Sequence, residues 1–242
     1  MRILTTSFLI AILFMAILNF FDIEIWIKAA YNLVSFIKIL GVKYSLLNEA
    51  LFVVWETFVM AIFGVSLGTI FAYLLAPVAT PIITATIVSM PLRIIANMVR
   101  AIPAIFWAIL FVILLGPGPR AGALALAVYT SGYLIKFFYE SLESSDKDLV
   151  DTLKVMGLKR FTLAFAVYAS VKKQIISHIF FMLEYNVRSA AIIGFVGAGG
   201  VGYYILQYIS LLDYQATVTY ILVTMALVIS IDVLSYLVRS RI

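Results

Sequence analysis

The sequence predicts an all-α integral membrane protein with about six transmembrane helices. Hydrophobic residues make up 64% of the 242 residues and charged residues only 12%, whereas soluble domains are about 45–50% apolar and about 25% charged. Six apolar runs reach or approach the roughly 20 residues that a spanning helix requires. A soluble fold of this size could not bury so much apolar surface in one core, so the composition excludes a soluble enzyme.

The first half of the chain contains three predicted spans, at residues 3–20, 51–75 and 102–116. We expect the first run to be a retained helix, because no small-x-small cleavage site of a signal peptide follows it. Residues 22–43 are amphipathic and predict an interfacial segment. Pro77 is expected to break the second span. Residues 81–100 fit either a short, partly inserted helix or a segment at the cytoplasmic boundary.

The second half contains the other three predicted spans, at residues 121–138, 174–195 and 217–238. A Pro-Gly-Pro turn precedes the first of them. Residues 139–160 are the most charged stretch, and residues 197–213 predict a glycine-rich loop. The chain therefore divides into an N-terminal helix with its interfacial segment, residues 1–45, and a main transmembrane domain, residues 46–242.

The distribution of basic residues predicts the orientation. With six spans, both termini lie on one side, and that side also holds most of the lysines and arginines between the spans. The positive-inside rule places this side in the cytoplasm, in a multi-pass protein of the cell membrane. The opposite side would hold only Lys28, Lys38, Lys43 and Arg120.

The chain offers little chemistry for catalysis, metals or nucleotides. It has no Cys and one His, so neither a disulfide framework nor a histidine-based metal or catalytic site is expected. No G-x-x-x-x-G-K-[ST] phosphate loop occurs, so this chain is not expected to bind ATP in that manner. The net charge of +5 fits membrane orientation better than nucleic-acid binding.

The charged stretch predicts a short helix over about residues 145–160. Ser145 can cap its first turn and Asp148 can complete the capping box. Gly157 is a natural helix end. Leu149, Leu153 and Met156 then share one apolar face. Such a helix is either an ordinary interfacial loop helix or a docking element for a soluble partner.

Charged and polar residues within the fifth predicted span are candidates for a substrate pathway. Glu184 precedes Arg188 by four residues, a spacing that favours an intrahelical ion pair. Charges at this depth should face protein or water, so the pair is either structural or leaves Arg188 to guide an anion. Asn186 lies about 200° around the helix from Arg188, so the two need not share a face.

Glycines are grouped at two places. Gly197, Gly199 and Gly202, with Gly200 between them, formally match a G-x-G-x-x-G dinucleotide fingerprint, but they follow a membrane span rather than a strand. We expect a tight re-entrant or gating loop near the outer face, because glycine permits sharp turns. Gly64 and Gly68 form a G-x-x-x-G pair, which predicts close helix packing.

Several motifs occur in an order that is similar to a known family. They are Arg100-Ala-Ile-Pro103, Gly116-Pro-Gly-Pro119, Asp151-Thr-Leu153 followed by Gly157, Asn186-Val-Arg188, Gly194 to Gly202, and Asp213-Tyr214. From about Leu46 to the C-terminus the chain resembles the permease subunit of phosphonate-type ABC importers. Tyr129 departs from the His found in many members.

The resemblance implies a type I ABC importer transmembrane domain that moves phosphonate or a related phosphorus oxyanion by alternating access. It implies a homodimer, two cytoplasmic ATPase subunits that use ATP and Mg, and an extracytoplasmic binding protein. It also implies that ATPase coupling falls on the charged helix, at Asp148, Asp151, Leu153, Met156 and Gly157. The alternatives are a permease for another small solute, such as methionine or an osmolyte, and an ion-coupled secondary transporter.

Overall fold

The computed structural model describes residues 14–15, 23–39 and 41–241. The chain forms two units, Met1–Val42 and Lys43–Ile242. In the first unit, helix α1 covers Ile23–Ile39, within the predicted interfacial segment. The span predicted over residues 3–20 lies outside the described residues except for positions 14 and 15, which are helical.

The second unit is helical wherever the structure describes regular elements. Its helices are α2 (Leu47–Ala79), α3 (Thr86–Ala101), α4 (Ala104–Leu115), α5 (Pro119–Glu143), α6 (Lys147–Val155), α7 (Arg160–Ser170), α8 (Lys172–Ile193), α9 (Val201–Ser210) and α10 (Tyr214–Arg241). Short 3-10 turns occupy Tyr44–Leu46 and Gly194–Val196. The fold class is therefore all-α, as the sequence predicted.

Four helical stretches are long and apolar enough to cross a membrane. They are Tyr44–Ala79, Pro119–Glu143, Lys172–Val196 and Tyr214–Arg241. Helices α3 and α4 qualify only as a pair, and they are bent by 87° at the break between them. The described residues thus provide four spans, or five if the bent pair counts as one.

The bent pair corrects the straight span predicted over residues 102–116. Pro103 follows Ile102, and a residue before proline is driven out of the helical region. Ile102 accordingly has an extended backbone, with φ −85° and ψ 120°. Helix α4 has 12 residues, about 18 Å, which is shorter than the roughly 30 Å hydrocarbon layer.

Helix α2 continues through Pro77, contrary to the predicted break. Proline has no backbone N–H, so the carbonyl oxygen of Tyr73, four residues earlier, loses its helical donor. The hydroxyl of Tyr168 on α7 donates to that oxygen at 2.9 Å. The rings of Tyr73 and Tyr168 also stack, with centroids 4.3 Å apart. A side chain from another helix thus supplies the hydrogen bond that Pro77 removes.

The core is built around the contact between α2 and α5. A Cβ atom at Gly64 would lie 2.6 Å from the Cβ of Leu126, and one at Gly68 would lie 2.8 Å from the Cβ of Thr130. Only glycine allows the two helices to approach this closely. The prediction that Gly64 and Gly68 serve helix packing is confirmed.

Candidate functional site

Helix α6 follows α5 after a three-residue connection, inside the stretch predicted to be helical. Its N-cap is Asp146, whose carboxylate accepts a hydrogen bond from the Asp148 backbone N–H at 2.9 Å. The predicted cap was Ser145, and that prediction is wrong. Ser145 is buried, and its hydroxyl donates to the Leu142 carbonyl at the end of α5. Gly157 follows α6 with φ +78°, a conformation that favours glycine.

The apolar side chains of α6 divide between two directions. Val150 is buried against the bundle and Leu153 is half-buried. Leu149, Val155 and Met156 are exposed, the last two by 88% and 70%. The predicted stripe of Leu149, Leu153 and Met156 therefore does not pack as one face on this chain. Together with the exposed carboxylate of Asp151, α6 presents a mixed apolar and charged surface.

A polar cluster fixes the end of α5 from which α6 departs. The guanidinium of Arg93 on α3 pairs with the Glu143 carboxylate and donates to the Ala79 carbonyl at 2.6 Å. It also lies 4.4 Å from the ring centroid of Tyr139. Thr80 donates to the same carboxylate at 3.1 Å. We call these residues the Arg93 junction; it joins the ends of α2 and α5 to α3.

Two ion pairs connect α8 to α10. Arg188 donates to both carboxylate oxygens of Asp232, at 2.6 and 2.7 Å. Arg239 pairs with Glu184 at 2.5 Å. The predicted intrahelical pair of Glu184 with Arg188 is therefore wrong. Interhelical pairing is favoured because it neutralises all four charges, whereas the intrahelical pair would leave Asp232 without a cation inside a span.

The pathway candidates lie on different faces of α8, as their spacing predicted. The side chains of Arg188 and Asp232 are 50% and 40% exposed. Asn186 is fully buried between α8 and α5, where its amide donates to the Thr130 hydroxyl at 2.7 Å. Its carbonyl oxygen has no partner among the described residues. Arg188 faces outward from the single chain and Asn186 faces its core.

The glycine-rich segment is shorter than predicted. Residues Gly197, Gly199 and Gly200 all have positive φ, but α9 begins at Val201, so the loop predicted over residues 197–213 is corrected to a helix from that point. Gly202 lies in the first turn of α9, where a Cβ would collide with the backbone of α8.

This glycine segment is anchored on both sides. The Gly118 N–H donates to the Gly197 carbonyl at 2.9 Å, and the Val201 N–H donates to the Thr57 hydroxyl at 2.8 Å. A Cβ at Gly199 would lie 2.5 Å from the Pro119 nitrogen. The segment is packed tightly against the start of α5 and against α2.

A line of aromatic side chains between α5 and α8 was missed by the sequence reasoning. The Tyr129 hydroxyl, where a His was expected, donates to the Tyr185 hydroxyl at 2.8 Å. The ring centroid of Tyr133 lies 4.9 Å from that of Tyr129 and 6.3 Å from that of Tyr185. The i, i+4 spacing of Tyr129, Tyr133 and Phe137 was the available signal.

Further along this line, the ring of Phe137 stacks on His178 with centroids 4.9 Å apart. His178 also lies 3.2 Å from the Ser141 hydroxyl on α5. Within the described ranges, no group of three or more His, Cys, Asp or Glu could hold a metal ion.

Three similarities to known proteins cover much of the chain. A family profile described as a binding-protein-dependent transport system inner membrane component matches residues 68–242. The phosphite transport system permease protein PtxC of Stutzerimonas stutzeri is 30% identical over 193 residues, which cover 77% of this chain and 68% of that protein. The phosphate-import permease protein PhnE of Mycolicibacterium smegmatis is 34% identical over 144 residues, which cover 59% of this chain and 27% of that protein.

The third similarity is to a solved structure. The MetNI methionine ABC transporter, in inward-facing conformations, contains a chain that superposes with a TM-score of 0.68. The match covers 78% of this chain and 93% of that chain at 21% sequence identity. At that identity the likeness concerns the fold alone.

Proposed function

Because the chain belongs to the family of binding-protein-dependent transport system inner membrane components, we propose that it is the permease subunit of an ATP-driven importer for a phosphonate or a related small phosphorus oxyanion. Its fold is that of a type I ABC importer transmembrane domain. The observation that carries the substrate class is that PtxC and PhnE, which are 30% and 34% identical to this chain, are named as permeases for phosphite and phosphate, both tetrahedral phosphorus oxyanions.

Guanidinium N–H donors along the route support an anionic cargo. Moving one or two negative charges through a low-dielectric barrier without compensation is prohibitive. Arg188 provides a guanidinium whose fork matches phosphorus oxyanions, and it lies within a span on a partly exposed surface. Glu184, one turn earlier, pairs with Arg239 and Asp232 pairs with Arg188, so Arg188 offers N–H donors to the cargo without adding net charge. We place Arg188 along the substrate route.

The same exposure supports a dimer. Arg188 and Asp232 lie in spanning helices, and their side chains are about half exposed in the single chain. Facing lipid, each would cost roughly 2.5–3.5 kcal/mol at the bilayer centre. A second copy of this chain, enclosing a hydrated pathway between the two, removes that cost. Alternating access then consists of opening this pathway first to one side and then to the other, through the glycine segment at the start of α9.

Helix α6 is the proposed docking element for the ATPase. Its exposed Val155 and Met156 and its outward carboxylate at Asp151 suit contact with a folded protein better than contact with water. Because α6 follows α5 directly and the Arg93 junction fixes that end, movement of a bound ATPase would reach the spanning helices. The partners are thus two cytoplasmic ATPase subunits, which bind ATP and Mg, and an extracytoplasmic binding protein. Both termini and α6 lie on the cytoplasmic side.

The test is uptake by proteoliposomes that contain this chain with its ATPase and binding protein. We expect ATP-dependent uptake of radiolabelled phosphite, methylphosphonate or phosphate, and no uptake with an ATPase-inactive partner. Uptake driven by an ion gradient without ATP would instead establish a secondary transporter. Uptake of methionine or an osmolyte in place of all three anions would refute the substrate class.

Docking is tested separately with two variants of α6 and a control. Gly157→Pro replaces a residue at φ +78° with one restricted to about −65°, and Asp151→Lys reverses an exposed charge. Both should reduce co-purification of the ATPase or uncouple hydrolysis from uptake, with membrane insertion intact. Gln207→Lys, an equally exposed position on α9, should behave as wild type. If both α6 variants transport normally with the ATPase bound, the docking assignment is wrong.

A further inference from the structure

Arg100 is half-buried and lies level with the middle of α5 rather than with its end. Its guanidinium carbon is 5.9 Å from the ring centroid of Tyr133. Tyr133 is near the middle of α5 (Pro119–Glu143), roughly 21 Å from its first residue and roughly 15 Å from its last at 1.5 Å per residue. The bend at Pro103 explains this position, because α3 runs along α5 towards the middle of α5 and the chain changes direction only at Ile102.

Arg100 differs from three other arginines of the described helices. Each of those three has a carboxylate at ion-pair distance, which neutralises it. These pairs are Arg93 with Glu143, Arg188 with Asp232 and Arg239 with Glu184. In the described part of the chain, the side-chain acceptor of Arg100 is the neutral amide oxygen of Asn97, at 3.0 Å. Arg100 thus carries an uncompensated positive charge at a depth where charge is costly.

Hydroxyl donors stand next to this charge. Tyr133 is half-buried and Tyr185 is 39% exposed, so both rings reach the open surface. Tyr185 accepts a hydrogen bond from Tyr129, which leaves its own hydroxyl proton available to a second acceptor. Tyr185 is also three residues before Arg188, on the same side of α8. The ring centroid of Tyr133 thus lies 5.9 Å from the Arg100 guanidinium carbon and 6.3 Å from the ring centroid of Tyr185, which shares a side of α8 with Arg188.

We propose that Arg100, with the hydroxyls of Tyr133 and Tyr185, forms a binding site for a tetrahedral phosphorus oxyanion midway along the pathway. The inference rests on the proposed function for the nature of the cargo. Arg100 supplies the net positive charge and a forked set of N–H donors, and the tyrosines donate to the remaining oxygens. Arg188, neutralised by Asp232, lines the same route without adding net charge. A single uncompensated cation binds the anion weakly enough to release it.

The test uses uptake by proteoliposomes containing the complete transporter, with radiolabelled phosphite as the probe. Charged hydrogen bonds of this kind predict that Arg100→Gln lowers the initial uptake rate about tenfold to a hundredfold, with the ATPase still bound and hydrolysing ATP. Arg100→Lys should recover part of the rate, because it keeps the charge but not the fork. Arg120→Gln, at an exposed position in the first turn of α5, should match wild type.

A binding measurement complements uptake. Phosphite should raise the melting temperature of the detergent-purified wild-type complex above that in chloride of equal ionic strength, and Arg100→Gln should abolish the difference. If Arg100→Gln prevents assembly, Tyr133→Phe decides, because it removes only a hydroxyl. A rate reduced about threefold or more supports the site.

Three results would overturn the site. One is wild-type uptake by Arg100→Gln, and another is wild-type uptake by Tyr133→Phe in complexes that assemble. The third is a failure of the wild-type transporter to move any phosphorus oxyanion, which would refute the proposed function and this site with it. The first two would refute the site alone.

Discussion

Substitution of Arg93 by Gln should destabilise the bundle more than removal of any exposed ion pair. The variant loses the pair with Glu143, whose side chain is 30% exposed, the hydrogen bond to the Ala79 carbonyl, and the contact with the Tyr139 ring. A hydrogen bond to a charged group contributes about 1.5–3 kcal/mol and a cation–π contact about 0.5–1 kcal/mol. Because the cluster is partly exposed and Thr80 still donates to Glu143, we expect a loss of about 2–3 kcal/mol.

The matched control is Lys136→Gln on α5, the helix that carries Glu143. Lys136 pairs with Glu140 at 3.4 Å in an i, i+4 arrangement that is more exposed, and such pairs contribute about 0.3–0.5 kcal/mol. Thermal unfolding in detergent, followed by intrinsic fluorescence, should lower the melting temperature by about 5–10 °C for Arg93→Gln and by about 1–2 °C for the control. Equal shifts for the two variants would refute the reasoning. Arg93→Gln should also raise the amount of ATP hydrolysed per substrate transported.

Two further predictions concern the two ends of the bundle. In a chain without cysteine, a thiol introduced by Lys147→Cys should be shielded from an impermeant external reagent in intact cells, whereas Ser210→Cys should react; the reverse pattern would contradict the orientation. The hydrogen bond at 2.7 Å between Lys43 and Asp213 lowers the pKa of Asp213 and raises the pKa of Lys43. Asp213 therefore stabilises the protein above about pH 4, and this stabilisation is lost as the pH falls through its lowered pKa. Lys43 stabilises the protein below about pH 10, and this stabilisation is lost as the pH rises through its raised pKa. In Asp213→Asn, the melting temperature should fall less between neutral and acid pH than it does in the wild type. An equal fall in the two proteins would show that the pair contributes nothing.

The sequence predicted correctly those features that depend on residues within a single helix. The helical pattern over residues 145–160 and the glycine that ends it depend on neighbours a few positions away. The G-x-x-x-G spacing of Gly64 and Gly68 likewise places two glycines on one face of a single helix, where a neighbouring helix can approach closely. The choice between Ser145 and Asp146 as the cap failed, because Ser145 finds its acceptor in α5.

The errors arose where two helices compete for one partner. Glu184 and Arg188 have the right spacing to pair with each other, and only the position of α10 makes Asp232 and Arg239 better partners. The depth of Arg100 depends on the bend at Pro103, which periodicity within α3 does not reveal. The hydrogen-bond partner of Tyr129, Tyr185, also lies on another helix, so the sequence showed that a Tyr replaces the expected His but not which residue it contacts.

The hydrogen bond from the Tyr168 hydroxyl to the Tyr73 carbonyl couples α7 to α2. A helix that contains proline has one turn without its own backbone restraint, and bending is easiest at that turn. In this molecule that turn is held by a hydrogen bond from Tyr168 on α7, the helix that follows α6. The stiffness of α2 is therefore set partly by α7, which follows the proposed docking helix α6, and a displacement of α7 would act on α2 at the turn that bends most easily.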